Sequence, residues 1–329
     1  MILAGDVGGT KSYLGLYQST SDGLKEVTVS RFESTDYPGA AELLKAFLKS
    51  CDGDRPNRVV LGVPGPVRQT PVKPVNLPWV IDPEAIAAHL DVAWVDLLND
   101  LEATAYGTLA LGPDDLIELN AGEPDPNGNA AVIAAGTGLG EGGLAWVGSG
   151  HVAVPSEGGH ASFAPSTNLE AELWSYLFER HGHVSWERVV SGMGLVNIYQ
   201  FLRDTGRGEE PEWLREQLGS NGGGAQVISE AASQSCQLAA DALDLFVSLY
   251  GAEAGNLALK FLATAGVFIG GGIAPKIADK LADGSFMAAF AEKGRVSDIL
   301  HRIPVHIIRN DHTAMLGAAY YGAQQAEHL

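Results

Sequence analysis

The sequence predicts an α/β fold of two lobes with a ligand cleft between them. Strand-like and helix-like segments follow one another in mixed order along 329 residues, which suits sheets covered by helices. That length exceeds the usual single-domain range of about 100–200 residues, so two domains or one two-lobed unit is expected. Three apolar runs each end in a cluster of glycines, and glycine after a strand lets backbone come close to a ligand.

Each element can be justified in order. Ile2 to Val7 is apolar, meets Gly8-Gly9-Thr10, and is followed by a second run from Tyr13 to Tyr17; this reads as strand, tight turn, strand. Ala41 to Leu48 carries the spacing of a helix with one buried face, and Val59 to Val63 is a strand running into Pro64-Gly65-Pro66. Asp82-Pro83-Glu84 opens a helix, with Asp capping and Pro at the first helical position. Val92 to Leu98 is a strand that ends at Asn99-Asp100, where a helix through Ala103 and Leu109 begins. Ala130 to Ala135 then meets Gly136-Thr137-Gly138-Leu139-Gly140 and returns as Gly143 to Val147, so the N-terminal pattern occurs twice. We read this as a weak internal repeat at the scale of half the chain.

The second half is richer in helix. Leu169 to Glu179, Glu187 to Asp204, Ser229 to Tyr250 and Ala252 to Leu262 all carry helical spacing. Ser220 to Gly224, reading SNGGG, has the composition of a mobile surface insertion, and residues 205–228 have no role that the sequence assigns. Val267 to Ile269 is a strand meeting Gly270-Gly271-Gly272, with a helix expected from near Pro275. Pro304 to Ile308 is the last strand and Ala314 to Gln325 the last helix.

Composition excludes several classes. The net charge of −19 comes without any Lys/Arg block, so neither nucleic acid nor an anionic membrane is an expected partner. In so acidic a chain an anion site must rely on backbone N–H groups and a metal. The two cysteines, Cys51 and Cys236, are far apart and belong to no Cys/His cluster. No zinc is therefore expected, and two free thiols suit a reducing, cytoplasmic setting. MILAGDVGG reaches an acid at Asp6 without a basic region and does not read as a signal peptide. Phe261 to Gly272 is too short and too rich in glycine to span a bilayer.

The glycine loops point to phosphate. In Asp6-Val7-Gly8-Gly9-Thr10-Lys11 the two glycines let N–H groups approach phosphate oxygens, and Thr10 adds a hydroxyl. Asp6 is placed to hold Mg²⁺, directly or through water. A plain hairpin turn would also use Gly-Gly, but two further loops, at Gly136, Thr137, Gly138 and Gly140 and at Gly270, Gly271 and Gly272, make three unrelated turns a poor explanation. A Walker A loop needs Gly before its Lys, whereas Thr10 precedes Lys11. Gly138, Gly140 and Gly143 match the spacing of a dinucleotide fingerprint, yet a strand-like run follows instead of a helix.

Polar residues of a second kind collect in other loops. Asn99-Asp100 stands where a strand gives way to a helix; Asn99 can cap that helix with Glu102 three residues on, and a capped helix start is also a rigid mount for a base. Ser156-Glu157-Gly158-Gly159-His160 puts an acid and an imidazole in a glycine loop, a setting better suited to hydroxyl binding than to a helical metal pair. Glu187 follows Ser185 at an expected helix start. Asn99, Asp100, Glu157, His160 and Glu187 together supply donors and acceptors of the kind a sugar rim needs.

At these residues the chain resembles bacterial glucokinases of the hexokinase–actin–chaperone ATPase superfamily. The resemblance runs nearly the whole length. It rests on Gly5 to Thr10, Asn99-Asp100, Gly136 to Gly140, Glu157 to His160, Glu187-Arg188-Val189-Val190-Ser191-Gly192 and Gly270 to Pro275, in that order. It implies a two-lobed actin-like (ribonuclease H-like) fold: a small α/β domain over 1–110, with 301–329 returning to it, and a large α+β domain over 111–300. It implies that Asp100 is the catalytic base and that Asn99, Glu157, His160 and Glu187 bind sugar hydroxyls. The loops at Asp6–Lys11, Gly136–Gly140 and Gly270–Gly272 would hold ATP, and homodimers are expected. Related ROK proteins carry a cysteine-rich zinc motif near the sugar-binding histidine; nothing of that kind accompanies His160, which points to the zinc-free branch.

The expected reaction is transfer of the ATP γ-phosphoryl group to the 6-hydroxyl of glucose, with Mg²⁺, as the entry step of glycolysis. Rival readings are a kinase for mannose, fructose or N-acetylglucosamine, polyphosphate in place of ATP as donor, an ATPase that needs no sugar, and a sugar-sensing regulator. The absence of a helix-turn-helix segment before Met1–Asp6 argues against a DNA-binding repressor.

Overall fold

A computed structural model of the chain describes every residue except Asp22, 52–54, 75–76, 221–223, Ser235 and 326–329. The strands are β1 (Ile2–Val7), β2 (Lys11–Thr20), β3 (Gly23–Glu33), β4 (Arg58–Val63), β5 (Trp94–Asn99), β6 (Leu116–Asn120), β7 (Ala130–Ala135), β8 (Leu139–Trp146), β9 (His151–Pro155), β10 (Gly266–Gly270) and β11 (Val305–Ile308). The α-helices are α1 (Ala40–Ser50), α2 (Pro83–Leu90), α3 (Asp100–Thr108), α4 (Asn168–His181), α5 (Gly192–Asp204), α6 (Glu212–Ser220) and α7 (Gly224–Ser233). They continue as α8 (Gln237–Phe261), α9 (Ala278–Leu281), α10 (Ser285–Ala291), α11 (Ser297–His301) and α12 (Thr313–Gln324). Two compact units form: Met1–Asp115 with Ser149–Pro155 and Asn310–Leu329, and Leu116–Gly148 with Ser156–Arg309. Among the described residues no helix is long and apolar enough to cross a membrane.

The first unit is built on a sheet of order β3-β2-β1-β4-β5. β1 is antiparallel to β2 and parallel to β4, and β4 is parallel to β5. β1 and β4 are apolar almost throughout and nearly every residue in them is buried, as strands covered on both faces require. Leu43, Leu44 and Phe47 of α1 pack with Leu3, Leu14 and Leu61 of the sheet. α3 and α12 meet closely because glycine stands at both contact points. A Cβ at Gly107 would lie 2.1 Å from the Thr313 carbonyl oxygen, and one at Gly317 would lie 1.8 Å from that of Ala103.

The second unit carries the strand sequence β6-β11-β10-β7-β8. Its run β8-β7-β10-β11 has the order and directions of β2-β1-β4-β5: an antiparallel hairpin followed by two parallel partners. The internal repeat expected from the two glycine-loop hairpins is therefore present in the topology. The long α8 supplies Leu243, Phe246, Tyr250 and Leu257 to the core of this unit.

Several helix boundaries differ from the sequence reading. Ser229 to Tyr250 and Ala252 to Leu262 are not two helices broken at Gly251; α7 ends at Ser233, and α8 begins at Gln237 and runs unbroken for 25 residues. Gly251 and Gly255 sit inside α8 because α10 crosses there: a Cβ at either would come within 2.2 Å of the Phe286 or Phe290 carbonyl oxygen. Glu187 to Asp204 is also not one helix. A 3₁₀ turn spans Trp186–Arg188, and α5 starts afresh at Gly192, where Ser191 accepts the N–H of Gly194 at 3.0 Å. The helix expected near Pro275 is a 3₁₀ turn over Ala274–Ile277 followed by the four-residue α9, too short to build a useful macrodipole. In the SNGGG segment, residues 221–223 lie outside the described residues; on either side of them the chain is helical, as α6 and α7.

Candidate active site

β1, β4 and β5 are parallel, so their carboxyl ends share one edge of the first sheet. Asp6 stands near the end of β1 in register with Gly62 of β4. Gly62 lies under the start of α3, 4.0 Å from the Asp100 Cα to where its own Cβ would be. A Cβ at Gly62 would also press on the Ala103 Cβ at 3.1 Å, so the small residue lets α3 lie close over the sheet, and the Asp100 charge acts on Asp6. Burial first, and the Asp100 charge second, push the Asp6 carboxyl up to about 6. Asp100 itself is exposed, and one of its oxygens accepts the Leu101 N–H at 2.9 Å.

Asn99 caps α3 as the sequence suggested. Its Oδ1 accepts from the Leu101 N–H at 3.0 Å, and Glu102 accepts its backbone N–H at 3.0 Å. Its Nδ2 donates to the Gly65 carbonyl at 3.1 Å, leaving one amide hydrogen for another acceptor. The first glycine loop is a tight hairpin turn closed by the Gly8 N–H on the Lys11 carbonyl at 3.0 Å. Ser34 pins it from below: its hydroxyl donates to the Gly8 carbonyl at 2.8 Å and its N–H to the Thr10 carbonyl at 2.8 Å. Val7 is buried beneath the loop, while Gly8, Gly9, Thr10 and Lys11 are at least partly exposed.

In the second unit β7, β10 and β11 are parallel, so the other two glycine loops leave the same sheet edge. They touch. The Ile273 N–H donates to the Ala135 carbonyl at 3.2 Å, and Gly271, at φ +81°, passes so close that a Cβ would lie 2.3 Å from that oxygen. Buried Tyr250 ties the strands from behind: its hydroxyl accepts from Ala135 N–H at 3.2 Å and lies 3.3 Å from the Gly270 carbonyl. Beside Gly136, Thr137 and Gly272 opens a cavity of about 920 Å³ that also receives Gln226, Glu230 and Lys276. Its apolar lining comes from Leu195, Val196, Leu243, Ile273 and Ile277. A pocket with an apolar body, loop amides and a lysine can take a nucleotide.

His160 and Glu187 converge in the same unit, and Glu157 stands in the loop that carries His160. The Glu157–His160 loop is a single turn with the His160 N–H on the Glu157 carbonyl at 3.0 Å. Trp186 N–H donates to the Ala161 carbonyl at 3.0 Å and Phe163 N–H to the Val184 carbonyl at 2.9 Å, stitching this loop to the turn that carries Glu187. Glu187 Oε1 lies 3.8 Å from His160 Nδ1. Its Oε2 accepts the Leu139 N–H at 3.0 Å, and a Cβ at Gly138 would stand 2.5 Å from that oxygen and displace the carboxylate. Gly136 in turn accepts the Gly192 N–H at 2.8 Å. The glycine loop after β7 and the acid–histidine pair are thus parts of one hydrogen-bonded construction.

Ser34, Tyr250, Gln226, Glu230 and Lys276 were not singled out from the sequence. Lys276 lay within reach of the glycine signal, four residues past Gly272. Tyr250 and the α7 residues have only helical periodicity around them, which signals burial and not what they face.

Mg²⁺ binds through one or two carboxylates, with waters and phosphate oxygens filling its octahedron. Among the described residues no group of three or more His, Cys, Asp or Glu side chains could hold a metal alone. The Asp6 carboxyl, pushed up by burial and by the Asp100 charge, fits that shared arrangement, because a nearby cation favours its ionised form.

Two sheets of repeated order, each opening on a glycine-loop hairpin, define an α/β protein of the actin-like ATPase class. The chain belongs to the glucokinase family: that family's profile, described as Glucokinase, matches residues 3–325. A relative named Glucokinase from Nostoc sp. (strain PCC 7120) is 42% identical over 339 residues, spanning 98% of this chain and 99% of the relative. The crystal structure of a glucokinase from an Antarctic psychrotroph superposes with a TM-score of 0.89 at 29% identity, covering 98% of both chains. A ROK family glucokinase from Streptomyces griseus, solved with glucose and AMPPNP, shares the fold at a TM-score of 0.63 and 21% identity over 98% of this chain and 99% of that one.

Proposed function

We propose that the protein phosphorylates D-glucose at its 6-hydroxyl with ATP, giving glucose 6-phosphate and ADP. Family membership supports the reaction class. The observation that carries the reading to residues is the Glu187 carboxylate, which accepts the Leu139 N–H beside the glycine loop and lies 3.8 Å from the imidazole of His160. One rigid piece of backbone then serves both a phosphate donor and a polyol.

In this reading Glu157, His160 and Glu187 hold sugar hydroxyls, with the remaining Asn99 amide hydrogen as a further donor. Asp100 accepts the proton of the 6-hydroxyl as its oxygen bonds to the γ-phosphorus and the bond to ADP breaks. Loop amides of Gly8 to Lys11, Gly136 to Gly140 and Gly270 to Gly272 receive the phosphates, and Thr10 and Lys276 add a hydroxyl and a cation. Most of the barrier reduction in such transfers comes from positioning and preorganised charge. Mg²⁺, when bound near Asp6, neutralises charge on the phosphate oxygens. The same reading places the protein in the cytoplasm, at the entry to glycolysis, as a homodimer.

The test is a coupled ADP-release assay over glucose, mannose, fructose and N-acetylglucosamine, with Mg²⁺ present or chelated and with ATP or polyphosphate. The expected result is ADP release that requires glucose and Mg²⁺. Release of ADP without any sugar, or equal release with every hexose, contradicts the proposal.

A further inference from the structure

The sugar-binding loop rests on β8, and one residue beneath it has no role so far. Leu139 and Glu141 are two apart on a strand and therefore face the same side. Leu139 carries Gly159: a Cβ there would meet the Leu139 carbonyl oxygen at 2.1 Å. The Glu141 side chain lies against Gly158, with its Oε2 2.1 Å from where a Cβ would stand. A side chain at position 159 would strike backbone, and one at position 158 would displace the Glu141 carboxyl.

Glu141 is 1% exposed, and neither carboxyl oxygen meets a hydrogen-bond donor from another residue. The group it faces is another carboxyl, that of Glu253 on α8, 0% exposed. Glu253 is already supplied with donors: Lys260 Nζ at 3.0 Å and Asn256 Nδ2 at 2.8 Å. Lys293, whose Nζ donates to the Ala252 carbonyl at 2.8 Å, also acts on Glu253. Two facing buried carboxyls are satisfied only when one carries a proton and gives it to the other. Burial, and next the Glu253 charge, push Glu141 up to about 8, so Glu141 is placed to hold that proton.

We propose that Glu141 is a positioning residue for the sugar: wedged under Gly158 and anchored on Glu253, it sets the height of the loop that carries Glu157 and His160. The proposal rests on the sugar-kinase reading of that loop. An apolar floor would hold the loop less firmly, because it lacks a donor to Glu253 that fixes its direction as well as its position.

The test compares Glu141→Leu, Glu141→Gln and Gly158→Ala with the wild type. Glucose affinity is read by tryptophan fluorescence, since Trp186 adjoins Glu187, and steady-state KM and kcat are measured for both substrates. Glu141→Leu should raise the glucose KM and dissociation constant by roughly tenfold to a hundredfold, the scale of an ångström-sized misplacement, while the ATP KM stays within about twofold. Glu141→Gln, of the same shape and still a donor to Glu253, should restore glucose affinity. Gly158→Ala lifts the loop from the other side and should reproduce the Glu141→Leu effect, so it carries the test if Glu141→Leu fails to fold. Unchanged glucose affinity in a folded Glu141→Leu or Gly158→Ala protein overturns the proposal, as does a parallel loss of ATP affinity. No glucose-dependent ADP release from the wild type would instead strike the sugar-kinase reading, so the two failures are separable.

Discussion

Each unit holds a pair of carboxyl groups that disturb one another, and the two pairs are built differently. Asp6 and Asp100 sit at a strand edge in the first unit, the first half-buried and the second exposed. Glu141 and Glu253 in the second unit are sealed from solvent. Repulsion and burial raise the carboxyl of one member in both pairs, yet the remedies differ. An open pair can recruit a divalent cation and still exchange protons with a substrate. A sealed pair can only keep a proton, and so works as a fixed structural bond. A perturbed carboxyl marks chemistry only where solvent or ligand can reach it.

Metal removal separates the pairs most sharply. Chelating Mg²⁺ should lower turnover on the order of 10³-fold or more, because several kcal/mol of charge stabilisation go with the ion. It should leave the thermal midpoint of the apoprotein unchanged. A large loss of stability on chelation would mean that the metal holds the fold and not the phosphates.

The acid limb of the rate profile comes next. Asp6, raised from 3.8 to about 6, is protonated below that pH and then no longer attracts a cation. At limiting Mg²⁺, kcat/KM for ATP should fall as pH drops through about 6, and saturating Mg²⁺ should shift this limb to lower pH because the cation favours the carboxylate. A limb that ignores Mg²⁺ concentration contradicts the assignment of Asp6.

The sealed pair should show itself in stability. Glu141 takes up its proton with a value raised from 4.5 to about 8. Its contribution is therefore fully present below about 4.5 and is lost as pH rises through about 8. Glu141→Gln keeps its hydrogen bond at every pH, so its advantage over the wild type should grow across that window. The gain should be on the order of a few kcal/mol by pH 8, as each unit of displacement is worth about 1.4 kcal/mol. Urea unfolding at several pH values measures it. Smaller still is the packing effect at the α8–α10 crossing, where Gly251→Ala should destabilise by roughly 1–3 kcal/mol through overpacking against the Phe286 carbonyl, with no pH dependence.

What the sequence made legible follows from how local each signal is. β1, β7 and β10 could be read because an apolar run and a glycine loop are both local patterns, and the residues that bind at loops are polar or small by necessity. β3, β6 and β9 were not read: β3, for instance, is an edge strand with Lys25, Glu26, Ser30 and Arg31 along it, and its partial burial leaves a weak apolar alternation. Gly251 misled because a glycine that admits a neighbouring helix looks, in sequence, like one that ends a helix. The same limit hid Glu141 and Tyr250. Their importance lies in what long-range packing brings against them, and neither residue type nor spacing carries that information. The candidate site was legible as residues in loops; the floor beneath it was not.

One experiment tests the division between open and sealed carboxyls most directly: Asp100→Asn and Glu141→Gln compared side by side for glucose binding by fluorescence and for ADP release. Asp100→Asn should bind glucose nearly as the wild type does while losing about 10²–10⁴ in turnover, the usual consequence of removing a general base. Glu141→Gln should turn over at close to the wild-type rate. Near-normal turnover in Asp100→Asn, or a comparable collapse in Glu141→Gln, would contradict the account.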